Sequence, residues 1–126
     1  EVLSLGEHEV VWLDTPHLPH AWECGLLFAQ RTGTLFCSDL FSQGGADPMP
    51  LTEGDILKPS EGMRGQMDYY AHPPNERAML ERLAGLEPKV LACMHGSSWR
   101  GDGARLLRAL ADRLEAVTPP GTDEVK

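Results

Sequence analysis

The stretch Gly-Leu-Leu-Phe-Ala-Gln-Arg-Thr-Gly-Thr-Leu-Phe-Cys-Ser-Asp, residues 25–39, decides the fold. It contains two mostly apolar runs, Gly25–Gln30 and Thr34–Ser38, which Arg31-Thr32-Gly33 separates. A three-residue connection that ends in glycine is typical of a β-hairpin. We therefore predict two neighbouring antiparallel strands here.

The register of this hairpin brings two distant parts of the chain together. If the turn closes on the three central residues, Gln30 faces Thr34, and counting back puts Gly25 opposite Asp39. Asp39 then lies at the same end of the hairpin as His17–Cys24, the segment that leads into the first strand. A β-bulge would shift this pairing by one residue.

The segment before the hairpin predicts a strand and then a rigid loop. Val10–Leu13 is a short β-rich run. Pro16 and Pro19 follow it, and because proline disfavours helix in and before its own position, we expect Asp14–His20 to be a loop.

The segment after the hairpin predicts a long connection and then a helix. Gly44–Gly65 is rich in glycine, proline, aspartate and serine, so we expect an irregular connection. Met63–Ala71 is a candidate for a short helix. Asn75 follows two prolines and is a candidate cap for a helix that runs to about Ala84.

The last part of the chain completes an α/β pattern. Lys89–Met94 is an apolar run typical of a buried strand, and we expect Ser97–Gly103 to be a tight loop. Asp102 is the predicted cap of a helix from Gly103 to about Ala116, whose leucines repeat at helical spacing. The order of elements predicts a mixed β-sheet with helices on one face.

The other face of the sheet has nothing in this chain to cover it. Because Glu1–Leu5 also resembles the middle of a domain, we expect that an upstream part belongs to the same fold. We assign residues 1–117 to this partial domain and residues 118–126 to a polar C-terminal tail.

The composition excludes some classes of partner. The 126 residues carry a formal net charge of −8, which argues against sequence-independent binding to nucleic acid or to an anionic membrane. No apolar run is long enough to span a bilayer. The three cysteines, Cys24, Cys37 and Cys93, are odd in number and show no Cys-x-x-Cys spacing. A reducing, cytoplasmic location is therefore expected.

Three side chains occupy positions suited to metal binding. His20 comes just before a predicted strand, and Asp39 and His95 come just after predicted strands. Imidazole and carboxylate groups bind zinc, iron and manganese, and strand ends hold them rigidly. Spacing alone is weak evidence, since a single histidine at a strand end is more often structural. His17 is an alternative to His20, and His8 and His72 resemble surface residues.

Three motifs, taken in order, resemble the second half of metallo-β-lactamase-fold proteins. They are Thr15-Pro-His-Leu-Pro-His20, Thr34-Leu-Phe-Cys-Ser-Asp39 and Met94-His-Gly-Ser97. The resemblance implies half of an αββα sandwich that carries a dinuclear metal site. It implies that His20 binds one metal, Asp39 bridges both and His95 binds the other. Two divalent ions, zinc or iron with manganese possible, would be the cofactors.

The family's first half carries a His-x-His-x-Asp-His motif, and this sequence has none. Three ligands shared between two metals leave each metal well short of a closed site. We therefore expect weak metal binding by this chain alone. A missing N-terminal half or a homo-oligomer partner would have to complete the site.

Three functional readings follow, and the resemblance implies the first two of them. The first is a metal-dependent hydrolase in which a metal-activated water attacks a small-molecule substrate. Two further stretches, His20-Ala-Trp-Glu23 and Asp39-Leu-Phe-Ser-Gln43, also resemble the oxygen-binding di-iron branch of the fold, related to flavodiiron proteins. The third is a non-catalytic fragment that pairs with another chain. The sequence does not identify a catalytic residue.

Overall fold

The computed structural model describes residues 1–45 and 49–117, and within them the chain forms one sheet and three helices. The strands are β1 (Val2–Leu5), β2 (His8–Asp14), β3 (Gly25–Ala29), β4 (Thr34–Phe36), β5 (Leu51–Thr52), β6 (Val90–Ala92) and β7 (Ser98–Arg100). The helices are α1 (Leu57–Gln66), α2 (Glu76–Ala84) and α3 (Gly103–Val117).

The sheet is mixed, as predicted. Its strands lie in the order β1-β2-β3-β4-β6-β7-β5. The pairs β4–β6 and β5–β7 are parallel, and the other neighbours are antiparallel. Parallel neighbours need a crossover, and the segment that contains α1 and α2 supplies the one between β4 and β6.

The helices and one face of the sheet enclose the core. Phe28, Leu35 and Leu91 face one another across three adjacent strands, and all are buried. Because side chains alternate along a strand, these residues share one face of the sheet. The core cluster joins them to leucines of α2 and α3, including Leu80 and Leu107. The predicted α/β arrangement is confirmed.

The opposite face of the sheet is apolar and partly exposed. A register row crosses it through Trp12, Leu27, Phe36 and Ala92, and we call this row the open sheet face. Trp12 is 42% exposed and Phe36 is 47% exposed. Trp12 and Phe36 lie on either side of Leu27 in this row, and contiguous exposed apolar surface of this kind often marks an interaction site.

The hairpin forms, but its predicted register is wrong by one residue. Ala29, not Gln30, lies opposite Thr34. The loop is one residue longer than predicted because Gly33 N–H donates to Ala29 O at 2.9 Å. Gly33 has φ +67°, a conformation that glycine adopts without the usual steric cost.

The predicted irregular connection over Gly44–Gly65 is also wrong in part, because it contains β5 and most of α1. The short helix predicted over Met63–Ala71 is misplaced, since α1 ends at Gln66. Asp55 Oδ1 accepts hydrogen bonds from the backbone N–H groups of Leu57 and Lys58 at 2.8 and 3.1 Å. This capping starts the helix early, where a proline in the first turn is tolerated.

The later elements agree better with the predictions. α2 begins after Asn75 as predicted, although the side chain of Asn75 makes no capping hydrogen bond. Asp102 Oδ1 does cap α3, accepting a hydrogen bond from Arg105 N–H at 3.1 Å. The predicted loop over Ser97–Gly103 is wrong in part, since β7 lies within it and pairs with β6. β6 itself covers only Val90–Ala92 of the predicted strand.

The tail predicted over residues 118–126 lies outside the described residues. Among the helices of the described part, none is long and apolar enough to cross a membrane.

Candidate metal centre

A rigid loop after β2 carries His20. Thr15 is fully buried, and its Oγ1 donates to Leu18 O at 3.0 Å. Ala71 N–H donates to Pro19 O at 2.8 Å, which ties this loop to the segment that follows α1. These bonds fix the residues that precede His20, and rigid support of this kind suits a metal ligand.

The loop after β4 carries Asp39, three residues beyond the end of the strand. Leu40 N–H donates to Cys37 O at 3.0 Å, and Ser42 Oγ donates to Asp39 O at 2.8 Å. Met94 N–H donates to Ser38 O at 3.1 Å, so the loop also contacts the segment after β6. These bonds fix the backbone around Asp39.

The β6–β7 connection carries His95, and Gln43 joins it to the Asp39 loop. Gln43 Nε2 donates to Ser97 O at 3.0 Å, while Ser97 N–H donates to Gln43 Oε1 at 3.0 Å. Gln43 N–H also donates to His95 O at 3.1 Å. One side chain therefore sets the distance between the two loops, a role that sequence spacing did not reveal.

The three predicted ligand residues come together in the structure. His20 Nε2 lies 2.5 Å from Asp39 Oδ2, and His95 Nε2 lies 3.3 Å from Asp39 Oδ1. The side chains of His20 and Asp39 are 18% and 25% exposed, while that of His95 is 61% exposed. The two oxygens of one carboxylate thus face two different imidazoles, and one side of the group is open.

The alternative ligand, His17, lies elsewhere. It is exposed, has φ +65° and donates its backbone N–H to Trp22 O at 2.9 Å. The imidazole that meets Asp39 is that of His20. His8 is exposed as predicted, but the expectation for His72 is wrong, since its side chain is 22% exposed and hydrogen-bonded to Asp68.

Two aromatic rings orient His20. Trp22 stacks on the imidazole at a centroid distance of 4.3 Å and an interplanar angle of 20°. The Tyr69 ring lies 5.7 Å from the His20 ring between centroids, and it packs against the Tyr70 ring at a centroid distance of 4.7 Å. Tyr69 was missed by sequence reasoning because it lies 49 positions after His20, in a loop without a recognisable pattern.

A partly buried ionic network supports the loop that presents Tyr69. Arg64 binds Glu61 through two hydrogen bonds of 2.6 and 2.8 Å, and this pairing raises the pKa of the guanidinium. Arg64 also lies 3.4 Å from Asp68, whose Oδ2 faces His72 Nε2 at 2.7 Å and whose Oδ1 accepts a hydrogen bond from Tyr70 N–H at 3.0 Å. Burial alone would raise the pKa of Asp68, but the hydrogen bond from His72 and the nearby charges lower it.

The donor set suits a metal but does not complete a site. Two imidazoles and a carboxylate are ligands for iron or zinc. Within residues 1–45 and 49–117, no group of three or more histidine, cysteine, aspartate or glutamate side chains has a geometry that would hold a metal ion by itself. Ligands of one ion stand about 3 Å apart, so His20 and Asp39 would have to separate slightly to share one.

Gly96 is required by this geometry, which gives a first testable prediction. It has φ +92°, and a Cβ atom there would lie 2.7 Å from Gln43 Cβ. We expect Gly96→Ala to lower the free energy of unfolding by about 2 kcal/mol, measured by urea denaturation. Gly62→Ala in α1 is the control, since a Cβ there meets open space. It should be neutral or stabilising by about 0.5–1 kcal/mol. Equal losses in the two variants would contradict the assigned role of Gly96.

Comparison with known proteins identifies the fold. No protein-family model and no curated protein matches the chain. The putative diflavin flavoprotein A 5 of Nostoc sp. matches with a TM-score of 0.71 and 21% identity over 92% of this chain and 45% of that chain. A variant of the flavo di-iron protein from Thermotoga maritima matches with a TM-score of 0.70 and 22% identity over 96% of this chain and 31% of that chain.

The chemotaxis sensor ODP from T. denticola also matches, with a TM-score of 0.69 and 20% identity over 86% of this chain and 46% of that chain. This chain spans less than half the length of each of the three structures. At these identities the likeness establishes the fold, which is part of a metallo-β-lactamase-like domain.

Proposed function

Because the chain has a partial metallo-β-lactamase-like fold, we propose that it supplies three ligands of a dinuclear iron site that binds oxygen. His20 is the ligand of one iron, His95 is the ligand of the other, and Asp39 bridges the two. The remaining ligands come from a second polypeptide segment.

One observation carries this proposal. The Asp39 carboxylate turns Oδ2 towards His20 and Oδ1 towards His95. A carboxylate can bridge two cations with one oxygen on each, and histidine nitrogen is a usual further ligand of iron and zinc. The arrangement of these three side chains fits this mode of binding. A structural role for Asp39, such as capping a turn, would need only one of its oxygens.

Iron would supply the electrons and the open coordination positions for oxygen, whereas the chain's own residues would position the ligands. Trp22 and Tyr69 pack against the His20 ring and would hold its orientation. Gln43 holds the Asp39 and His95 loops at a constant separation. His95 remains 61% exposed, so the open side of the group lies next to it.

The sequence alone favours hydrolysis over oxygen chemistry. The proposal reverses this order. Two of the three similar structures are described as a diflavin flavoprotein and a flavo di-iron protein. The second description names iron and supports the di-iron reading, and none of the three is described as a hydrolase. Hydrolysis with zinc stays the second candidate, because the same donor set also suits zinc.

A partner is part of this proposal. Three donors leave each iron short of a closed coordination shell, and the open sheet face leaves apolar side chains uncovered. A segment that covers this face and brings further histidine or carboxylate ligands would meet both needs. The non-catalytic reading, in which the fragment only pairs with another chain, lacks a role for the arrangement around Asp39.

The assignment of ligands can be tested on the 126-residue chain alone. We expect anaerobic addition of Fe(II) to broaden the imidazole proton resonances of His20 and His95 first, because paramagnetic ions act at short range. In Asp39→Asn, an Fe(II) concentration about tenfold higher or more should be needed to give the same selective broadening. The matched control is Asp14→Asn, at an exposed carboxylate, which should behave as the unaltered chain. Equal broadening of all five histidines would contradict the proposal.

Oxygen chemistry and hydrolysis need a form of the protein that includes the completing segment. Loaded with Fe(II), that form should consume oxygen and develop a visible absorption band on exposure to air. Loaded with Zn(II), it should show neither, and it should not cleave ester, lactam or phosphodiester substrates. Hydrolysis with zinc and no oxygen uptake with iron would favour the second candidate.

A further inference from the structure

Two cysteines lie side by side beneath the candidate metal centre. Cys37 directly follows β4, and Cys93 directly follows β6, its parallel neighbour. The last register pair is Phe36 opposite Ala92, and Cys37 N–H donates to Ala92 O at 2.9 Å. The pairing therefore extends by one residue beyond the strand ends, and it places Cys37 beside Cys93.

Both thiols lie on the helix side of the sheet. Phe36 and Ala92 belong to the open sheet face, so the next residue on each strand points the other way. Cys37 is fully buried, and Cys93 is partly buried and packed against the core. Each thiol faces a carbonyl oxygen of its own strand, Cys37 Sγ at 3.5 Å from Leu35 O and Cys93 Sγ at 3.8 Å from Leu91 O. Cys24 is in a different place, in the loop before β3, where its thiol faces His20 O at 3.7 Å.

The backbone separation is compatible with a disulfide bond. Neighbouring strands lie about 4.8 Å apart. Cysteines joined by a disulfide usually have their Cα atoms roughly 4.4–6.8 Å apart. No large backbone movement is needed to connect Cys37 with Cys93.

We propose that Cys37 and Cys93 form a redox-active dithiol that closes to a disulfide when it meets a low-molecular-weight disulfide. The Cys93 thiol is the more accessible of the two, so it attacks first. It loses its proton, forms a mixed disulfide and releases one small thiol. Cys37 then loses its proton and attacks the Cys93 sulfur, which expels the second small thiol. Two electrons pass to the oxidant, and the two protons end on the two released thiols.

A Cys37–Cys93 disulfide would lie next to two of the proposed metal ligands. Asp39 lies two residues after Cys37, and His95 lies two residues after Cys93. A covalent link between the two strand ends would restrict the relative movement of the segments that carry these residues. Disulfides inside reducing compartments are usually transient and redox-sensing, so a reversible bond is consistent with the expected location. The inference does not depend on iron.

Oxidised glutathione tests the proposal on the whole 126-residue chain. We expect incubation with it, followed by blocking of free thiols and peptide mapping by mass spectrometry, to recover a Cys37–Cys93 crosslinked peptide. Dithiothreitol should restore both thiols. Hydrogen exchange at residues 93–97 should slow in the oxidised form. A stable glutathione adduct on Cys93, a link to Cys24 or no reaction at all would each overturn the proposal.

Two variants separate the steps. Cys37→Ala lacks the resolving thiol and should stop at the mixed disulfide on Cys93. Cys24→Ala is the matched control and should form the internal disulfide as the unaltered chain does. Loss of the internal disulfide in Cys24→Ala would overturn the assignment. Because the mapping of the unaltered chain is decisive by itself, poor folding of one variant leaves the test intact.

Discussion

Replacing His20 with alanine should remove most of the iron from the complete site, whereas replacing His17 should leave the iron content unchanged. His20 Nε2 lies 2.5 Å from the Asp39 carboxylate, while His17 is exposed three residues earlier in the same loop. Loss of a residue that merely supports a metal ligand costs about 10–100-fold in affinity, so the loss of a ligand itself should cost more. The iron content of the purified protein, in a form that includes the completing segment, is the measurement.

The pair His20→Ala and His17→Ala is well matched, since both remove an imidazole from one Pro-containing loop. Circular dichroism would check that each variant keeps its fold. His95→Ala should resemble His20→Ala, because it removes the nitrogen ligand of the second iron. Equal iron contents in the His17 and His20 variants would mean that His20 is not a ligand and that its contact with Asp39 is structural.

Replacing Phe36 with lysine should abolish the association of this chain with whatever covers the open sheet face. Burial of a phenylalanine contributes roughly 1.5–3 kcal/mol, and an unpaired buried ammonium group costs still more. We therefore expect the association constant to fall at least about 100-fold. Phe36 is 47% exposed in this chain, so the same change should have little effect on the chain's own stability.

Sedimentation velocity is the measurement, first on the chain alone at increasing concentration and then with the completing segment. Met67→Lys is the control, because Met67 is 64% exposed but follows α1 and lies outside the sheet. It should leave association unchanged. If Phe36→Lys associates as the unaltered chain does, the open sheet face is not the interface.

The part of the fold that depends on local pattern was predictable from the sequence. The leucine spacing of α3 and the Asp102 cap are signals within one helix, and both predictions are confirmed. The α/β class was predictable because helix and strand patterns of this local kind alternate along the chain. The hairpin register failed because a turn of three or four residues depends on a single backbone hydrogen bond, from Gly33 to Ala29. α1 was misplaced because proline and glycine within it obscure the helical pattern that Asp55 starts.

The candidate site was predictable only where a family resemblance marked its residues. Spacing alone did not distinguish His20 from His17, whereas in the structure it is His20 that contacts Asp39. Gln43 and Tyr69 were missed for the same reason, because their partners, Ser97 and His20, lie 54 and 49 positions away in sequence. Long-range contacts of polar side chains leave no periodic trace along the chain.

The hydrogen bonds between Gln43 and Ser97 also determine where the length of the chain can change without moving Asp39. The Gln43 side chain is bonded to Ser97, so the segment that carries Asp39 is anchored before the chain leaves the site at Gly44. Changes in chain length after Gly45 would therefore not be transmitted back to Asp39. We expect related proteins to tolerate insertions there, so that new loops could be added beside the site while its ligands keep their positions.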